Sequence, residues 1–387
     1  MTVRIAAFNV ENLFDRAKVL NDEDPGAHQD ILSAHAELNA LFSRDNYDAA
    51  TKRRILALLD ALDLRPPRYV GPFALIRRIR GKLVHTPRGG APEIVASGRS
   101  DWVGWCELTT EAVDEVAMLN TARVIRDVAA DILAIVEAES RPVLKRFHDL
   151  LLPKVGVETA KGYRHLMLID GNDERGIDVG LATREGFAIG LMRSNADLRA
   201  PSGETVFSRD CPEYAVSLPS GGQVIVLPNH FKSKFSPGKD GQRKANAKRR
   251  LQAETVADIY RRLRREGHDR VVVLGDLNDT PGSVPLAPLL RGTDLRDVGE
   301  HPSFTEVEYR ARTGGRGIGT YGNGRDDEKI DYILLSPPLF ERIERGGIFR
   351  KGAWPGSRPQ RWDVYPELTA KVHAASDHHA IWVDLDL

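Results

Sequence analysis

The chain has 387 residues, of which 41% are hydrophobic and 28% are charged, as is typical of a soluble globular protein. This length suffices for one large α/β domain or two ordinary ones, and no apolar run approaches the roughly 20 residues of a transmembrane helix. The 55 basic and 55 acidic residues give zero net charge, so attraction to phosphate requires local clusters of basic residues.

The cysteines and the N-terminal residues of the chain indicate the cellular compartment. The only cysteines, Cys106 and Cys211, are far apart and do not make a disulfide framework. The opening MTVRIAAFNVENLF enters a strand pattern at once, without the longer apolar core and small-residue cleavage site of a secretory signal. We therefore expect reduced thiols and a cytoplasmic location.

Short runs rich in Val, Ile and Leu recur along the chain and predict strands. In chain order they cover residues 3–9, 132–136, 164–169, 177–183, 187–192, 213–218, 223–229, 271–275, 330–335 and 379–386. Apolar side chains at helical spacing predict helices over residues 47–63, 111–130 and 242–265. This order predicts an α/β protein with a four-layer αββα sandwich, in which two mixed β-sheets pack face to face with helices outside.

Residues 64–108 differ from the rest because they are rich in Pro, Gly, Arg and Trp. We expect one domain over residues 1–387 with an inserted excursion at about 15–110, and we do not expect residues 64–108 to have a core of their own. Trp102 and Trp105 have two interpretations, packing of the excursion onto the domain or stacking on nucleic acid.

The stretch VVVLGDLNDTP, residues 271–281, ends a buried strand with two polar residues, Asp276 and Asn278. Side chains two positions apart share one face of a strand, so both are expected at the same edge of the sheet. A turn is the simpler explanation, since Asp, Asn, Thr, Pro and Gly all favour turns.

The same pattern recurs at five other predicted strands, which favours a shared site over a series of turns. The residues concerned are Asn9 and Glu11, Glu137, His230 and Lys232, Asp331, and Asp377 and His378. Polar residues at one end of six strands predict a single cluster over the edge of the sandwich.

These residue types indicate the chemistry of the cluster. Carboxylate and amide oxygens suit a hard divalent cation, and Mg²⁺ prefers few carboxylates together with water and phosphate. Mn²⁺ is the alternative ion. The sequence has no Cys/His spacing for structural zinc, no phosphate loop of nucleotide hydrolases and no Gly-x-Ser-x-Gly elbow. Two histidines beside a metal-binding acid fit hydrolysis of a phosphate ester.

An ordered set of motifs resembles the endonuclease/exonuclease/phosphatase superfamily, which includes deoxyribonuclease I. The pieces are FNVENLF, DILAIVEAES, RGIDVGLATR, FSRD, NHFKSK, GDLNDTP, KIDYILLS and SDHHAIWVDL, from residue 3 to residue 386. Each motif is weak by itself, whereas their order along the chain is specific. The resemblance spans the chain except for the 15–110 excursion.

The resemblance implies roles for individual residues. It implies that Asn9 and Glu137 hold the metal, with Glu11 and Asp377 as further or alternative ligands. It implies that His230, oriented by Asp331, and His378 contact the phosphate, that Asp276 activates water, and that Asn278 donates to phosphoryl oxygens. Arg209, in FSRD, matches a phosphate-contacting arginine of nuclease members. Alternatives are a helix-start acid for Glu11 and a surface charge for Arg209.

Local charge bears on the substrate, which the fold alone does not choose. After His230 follow Lys232, Lys234, Lys239, Arg243, Lys244, Lys248, Arg249 and Arg250, with Asp240 as the only acid among them. They predict either a basic stripe that grips a nucleic-acid backbone, through Lys232, Lys244 and Arg249 among others, or a solvated helix face.

We therefore expect a Mg²⁺-dependent nuclease acting on DNA, or also on RNA. The alternative is a phosphodiesterase or phosphatase acting on a lipid head group or a small phosphorylated metabolite, for which residues 69–76 are the only apolar candidate loop. A binding module with a degenerate site is the third possibility, and the presence of every expected catalytic residue argues against it.

Overall fold

A computed structural model describes residues 1–13, 28–109, 116–158, 161–173, 176–234, 238–310, 315–356 and 360–387. Within these ranges the helices are α1 (Gln29–Phe42), α2 (Ala49–Ala61), α3 (Val116–Val128), α4 (Arg141–Leu151), α5 (Gly238–Arg265), α6 (Ala287–Leu290) and α7 (Pro337–Phe340). The strands are β1 (Thr2–Leu13), β2 (Ala74–Arg80), β3 (Val84–His85), β4 (Glu93–Ile94), β5 (Val103–Leu108), β6 (Ile132–Ala138), β7 (Tyr163–Leu168), β8 (Asp178–Arg184), β9 (Ile189–Arg193), β10 (Glu213–Ser217), β11 (Gln223–His230), β12 (Val271–Asp276), β13 (Arg296–Asp297), β14 (Phe304–Glu306), β15 (Asp331–Leu335), β16 (Ile343–Phe349) and β17 (Ala380–Asp386).

The chain divides into two compact units, a larger one of Met1–Phe14 with Val113–Leu387 and a smaller one of Asp15–Ala112. The larger unit holds a seven-stranded sheet in the order β14-β16-β17-β1-β6-β8-β7 and a six-stranded sheet in the order β13-β15-β12-β11-β10-β9. Both sheets are mixed, since β1–β6, β14–β16 and β11–β12 are parallel pairs among antiparallel ones.

Strand β12 shows how the layers form. Val272 and Leu274 enter the core between the two sheets, where they meet β17 side chains such as Ile381. Val271 and Val273 point to the opposite face and join the cluster beneath α5. Helices α3 and α4 cover the outer face of the other sheet. Because successive side chains of a strand alternate in direction, a fully apolar strand indicates burial on both faces. The predicted four-layer αββα sandwich is confirmed.

The predicted elements correspond to observed ones. Each of the ten predicted strands matches a strand, and the helices predicted at 47–63 and 242–265 are α2 and α5. The helix predicted at 111–130 matches α3, although residues 110–115 lie outside the described part of the chain. Helices α1, α4, α6 and α7 and strands β2–β5, β13, β14 and β16 were not predicted.

The smaller unit contains α1, α2 and two two-stranded sheets, β2–β5 and β3–β4. Leu38 of α1 and Ile55 of α2 pack in one cluster with Trp102 and Cys106. Residues 64–108 therefore share this cluster with helices α1 and α2, which supply the other half of it. The expectation that residues 64–108 have no core of their own stays a prediction. Trp102 is buried, whereas Trp105 is 43% exposed. The assignment of the unit as an excursion within one domain stays a prediction.

Among the described helices, none combines the length and the apolar character that crossing a bilayer requires.

Close backbone contact in the six-stranded sheet requires glycine at position 275. Gly275 has a φ of +121°, and a Cβ atom there would lie 2.2 Å from the carbonyl oxygen of Asn229 on β11. Any side chain would push apart β11 and β12, the two parallel strands that end at His230 and Asp276.

We therefore expect Gly275→Ala to lower the free energy of unfolding by about 2 kcal/mol or more, because it combines a clash with an unfavourable φ. Chemical denaturation measures this change. Gly282→Ala is the matched control, since a Cβ atom there meets nothing within 4 Å. Equal stability of the two variants would contradict the close-contact explanation.

Candidate functional site

Three neighbouring strands of the six-stranded sheet place one predicted site residue each side by side. His230 at the end of β11 is in register with Asp276 at the end of β12. Asp276 is in turn opposite Asp331, the first residue of β15. All three side chains are buried. Two carboxyl groups directly opposite each other on adjacent strands are unfavourable unless something compensates their charge.

The seven-stranded sheet contributes Asn9 from β1 and Glu137 from β6. The side-chain nitrogen of Asn9 lies 3.2 Å from Glu137 Oε1 and 3.3 Å from Asp276 Oδ2, so it links the two sheets. Both strands are irregular here. The β1–β6 register shifts after Asn9, and the β6–β8 register shifts at Glu137. Such bulges redirect side chains, and they are common next to functional sites.

Unusual backbone conformations concentrate at this edge. Of the seven non-glycine residues with positive φ in the described chain, three are predicted site residues: Glu11 at +48°, Glu137 at +69° and Asn278 at +54°. Asn tolerates this region, whereas Glu rarely adopts it. Strained conformations held by the surrounding fold are typical of sites where position matters more than stability.

His378 precedes β17 and joins the cluster through Asp331. Its Nδ1 atom lies 2.9 Å from Asp331 Oδ2, and its Nε2 atom lies 4.0 Å from Asp276 Oδ2. The Ser376 hydroxyl donates to the carbonyl oxygen of Asn9 and accepts from the His378 backbone N–H. The ring of Tyr321 packs edge-on against the His378 ring at 5.0 Å.

One predicted contact is wrong. Asp331 was expected to orient His230, but its carboxylate pairs with His378. The reason is register: His230 borders Asp276 on β12, and Asp331 lies on the far side of that strand. His230 Nε2 instead lies 3.5 Å from Glu137 Oε1 and 3.6 Å from Asp276 Oδ2.

Asn278 holds Asp276 in place. Its backbone N–H donates to Asp276 Oδ1 at 2.8 Å, and its side-chain amide donates to Asp276 Oδ2 at 3.0 Å. The same amide also donates to the carbonyl oxygen of Phe231 at 3.1 Å. In this arrangement Asn278 fixes the carboxylate and ties it to the segment that follows His230.

The electrostatics of the cluster follow from burial and like charge. Burial, together with the neighbouring carboxylate of Asp331, raises the pKa of Asp276 to about 8. Burial disfavours protonated His378, but Asp331 outweighs this effect and raises the pKa of His378 to about 10. At the rim, burial and the nearby Asp377 raise the pKa of Glu11.

The donor set fits a divalent cation. Five carboxyl groups face two imidazoles: Glu11, Glu137, Asp276, Asp331 and Asp377 against His230 and His378. Oxygen atoms of Asp276 and Asp331 and a ring nitrogen of His378 lie within 4.8 Å of one another, and Glu137 keeps 17% of its side chain exposed. Excess buried negative charge and accessible carboxylate oxygen are what such an ion needs.

Asn9 does not present a metal-binding oxygen. Its amide nitrogen faces Glu137 and Asp276, while its Oδ1 atom accepts the backbone N–H of Glu11 at 3.0 Å. Holding a cation through Asn9 would require the amide to turn over. The Glu11 carboxylate accepts the backbone N–H of Asp377, which brings these two predicted ligands together at the rim.

The predicted substrate-binding residues are distributed unevenly. Arg209 is buried and pairs with Asp173 at 2.7 Å, so phosphate contact through Arg209 stays a prediction. Lys244 is exposed on α5, and Lys232 is half-buried. Arg249 has no exposed surface, and its place in a basic surface stripe was therefore wrong. It lies on the face of α5 that packs inward, which charge counting along the sequence does not reveal.

Two further residues shape the site, and sequence reasoning did not single them out. Ser376 stands inside the quoted motif SDHH, and its adjacency to two predicted residues was a usable signal. The Thr320 hydroxyl accepts the backbone N–H groups of Ile330 and Asp331, at 3.1 and 2.9 Å. No local pattern marks Thr320.

Comparisons with known proteins place this site in context. A model of the Endonuclease/Exonuclease/phosphatase family matches residues 86–349, more than half of the chain. Similar solved structures include truncated Caenorhabditis elegans TDP2, at 16% identity over 70% of this chain and 90% of that one with a TM-score of 0.45. Another is the Bacteroides thetaiotaomicron mannosyl-6-phosphatase Bt3783, at 18% identity over 70% of this chain and 91% of that one, with a TM-score of 0.47. A third is the human nocturnin catalytic domain, at 14% identity over 70% of this chain and 86% of that one, with a TM-score of 0.46. No curated protein matches the sequence significantly.

The pairing of His378 with Asp331 predicts a pH-dependent contribution to stability. Because the folded pKa of about 10 exceeds the ordinary value of 6.5, the protonated imidazole stabilises the fold fully below about pH 6.5. That contribution is lost as pH rises through about 10. We expect Asp331→Asn to lower the His378 pKa, since burial then acts with less opposition.

Proton NMR titration of metal-free protein measures this pKa, with the His378 signal assigned from His378→Gln. Asp327→Asn is the control, because Asp327 is exposed and pairs with Arg325. An unchanged His378 pKa in Asp331→Asn would rule out the proposed origin of the shift.

Proposed function

Since the chain belongs to the endonuclease/exonuclease/phosphatase family, whose members hydrolyse phosphoester bonds, we propose that it is a Mg²⁺-dependent nuclease that cleaves phosphodiester bonds in DNA. One observation supports the proposal most strongly: Glu137, His230, Asp276 and His378 come from distant parts of the chain and lie side by side. His230 is 3.5 Å from Glu137 and 3.6 Å from Asp276, and His378 is 4.0 Å from Asp276. The resemblance inferred from the motifs is confirmed at the level of the family.

In this proposal the side chains divide the work. Asp276 takes a proton from the attacking water, and a pKa of about 8 suits a base that works near neutral pH. Asn278 fixes the direction of that carboxylate through two hydrogen bonds. When bound beside Glu137, Mg²⁺ supplies positive charge that neutralises phosphoryl oxygens.

The two histidines bind the phosphoryl group from opposite sides of Asp276. His378 is kept protonated by Asp331, so its Nε2–H donates to a phosphoryl oxygen and stabilises charge that develops during displacement. His230 lies between Glu137 and Asp276 and offers a second imidazole to the same group. Glu11 and Asp377 extend the negative rim where further cation ligands are proposed.

DNA is proposed as substrate because α5 carries exposed basic residues close to the segment after His230. Lys239 and Lys244 are exposed and form no ion pair with the described residues. RNA is the second proposed nucleic-acid substrate. The lipid alternative loses its main support, since residues 69–76 run into β2 and only 70 and 72 are exposed. The buried free cysteines, Cys106 and Cys211, agree with the proposed cytoplasmic location.

We expect Asp276→Asn and His378→Ala each to lower hydrolysis of bis-p-nitrophenyl phosphate at least about 100-fold, because they remove the base and a phosphate ligand. We expect a chelator to abolish wild-type turnover and added Mg²⁺ to restore it. Asp258→Asn, on the exposed face of α5, is the control with normal turnover. Turnover of either site variant within tenfold of wild type would refute the assigned roles.

The substrate class has a separate test. We expect Lys244→Gln to weaken DNA binding and to reduce the slope of log K against log salt by about one phosphate contact. Arg265→Gln is the control, because Arg265 is also exposed on α5 but stands 21 residues further along the helix. Fluorescence anisotropy at several salt concentrations measures both. Equal slopes in wild type and Lys244→Gln, with bis-p-nitrophenyl phosphate still cleaved, would favour a small phosphoester substrate.

A further inference from the structure

Arg249 is a buried cation on a helix whose neighbouring basic residues reach solvent. It has no exposed surface, whereas Lys244 and Arg250 on the same helix are exposed. Removing a guanidinium from water is costly unless its N–H groups are all paired, so a fully buried arginine indicates a defined set of partners.

Apart from Asn246 on α5 itself, those partners belong to two segments of the larger unit. Arg249 Nη1 donates to the carbonyl oxygens of Lys232 and Ser233, at 3.1 and 3.0 Å. Its Nε atom donates to the Asp279 carboxylate at 3.1 Å. Its Nη2 atom donates to Asn246, one turn earlier on α5. The planar fork of five donors suits this spread of acceptors.

Both segments carry residues of the proposed reaction. Lys232 and Ser233 directly follow β11 and His230, while Asp279 directly follows Asn278 after β12. In the described part of the chain, every hydrogen bond of the Arg249 guanidinium goes to these two segments or to its own helix. None goes to the strands themselves.

Hydrogen bonds next to Arg249 also hold the segment after His230. Gln252, three residues after Arg249, accepts the backbone N–H of Lys232 at 2.9 Å. The backbone N–H of Phe231 donates to the carbonyl oxygen of Asp276 at 2.9 Å. The helix therefore holds the segment after His230 at both its N–H and its C=O groups. Lys234 Nζ pairs with the Asp279 carboxylate at 3.2 Å, and Arg249 adds a buried ion pair to the same carboxylate from the helix.

We propose that Arg249 is a positioning residue, which fixes the segment after His230 against the segment that carries Asp276 and Asn278. This inference rests on the proposed hydrolysis of phosphodiesters at that site. Arg249 does not touch the substrate. It keeps the imidazole and the base at the separation that the reaction needs, and small displacements of such groups lower turnover more than substrate binding.

Arg249→Lys is the direct test, because it keeps the charge but loses the fork that reaches both segments. With bis-p-nitrophenyl phosphate and Mg²⁺, we expect kcat to fall about tenfold or more while KM changes less than about threefold. Arg250→Lys is the matched control, since Arg250 is exposed and pairs with Glu254, and we expect it to keep wild-type kcat. A rise in KM at unchanged kcat would overturn the proposal by making Arg249 a substrate contact.

Hydrogen exchange provides a readout that does not depend on activity. We expect Arg249→Lys to speed exchange of the Phe231 and Lys232 amides about tenfold or more, while amides of β17 keep their protection. Unchanged exchange together with kcat within about twofold of wild type would overturn the proposal. If wild type itself does not hydrolyse the probe, the proposed function fails, whereas exchange still decides the positioning role.

Asp279→Asn covers the case in which Arg249→Lys does not fold. It keeps the shape of the acceptor but removes the charge that pairs with Arg249 and with Lys234, so kcat and exchange at Phe231 and Lys232 should change in the same direction. Thermal unfolding checks that the variant is folded. Wild-type kcat and wild-type exchange in folded Asp279→Asn would contradict the connection between the two segments.

Discussion

The site depends on two buried carboxyl groups, Asp276 and Asp331, held opposite each other on adjacent antiparallel strands. Like charges in this arrangement destabilise a fold, and burial adds to the cost. Neighbouring side chains compensate this charge. His378 pairs with Asp331, and the amide groups of Asn9 and Asn278 donate to Asp276. A bound divalent cation would compensate the remaining negative charge. The same carboxyl groups that destabilise the fold are therefore the ones on which the proposed chemistry depends.

The surrounding fold makes this arrangement possible. Apolar strands such as β12 are buried on both faces and fix the register, so the side chains at their ends have little freedom. Positive φ at Glu11, Glu137 and Asn278 then turns individual side chains toward the centre. The packed layers therefore offset the energy of the strained backbone at this edge. Arg249 is proposed to fix, in a similar way, the segments that follow β11 and β12.

Much of this could be predicted from the sequence, for physical reasons that also mark the limits. Strand β12 could be predicted because four consecutive apolar residues fit burial on both faces. Asp276 and Asn278 could be identified as site residues because they follow this apolar run. Asp331 was assigned to the wrong histidine, since neighbouring strands in space are not neighbours in sequence. Arg249 was misplaced because a count of basic residues between Lys232 and Arg250 does not reveal which face of the helix each of them occupies. Helix α4 was missed although Ser140 caps it and Pro142 lies in its first turn, because it is short.

Side chains from both sheets are proposed to form one site for a metal-bound phosphoryl group. Anomalous diffraction from crystals grown with Mn²⁺ and a short DNA strand tests it most directly. We expect a metal peak at coordination distance, about 2.1 Å, from the Glu137 carboxylate, with a phosphate between His230 and His378. A peak bound elsewhere, in protein that cleaves DNA with the same ion, would contradict it.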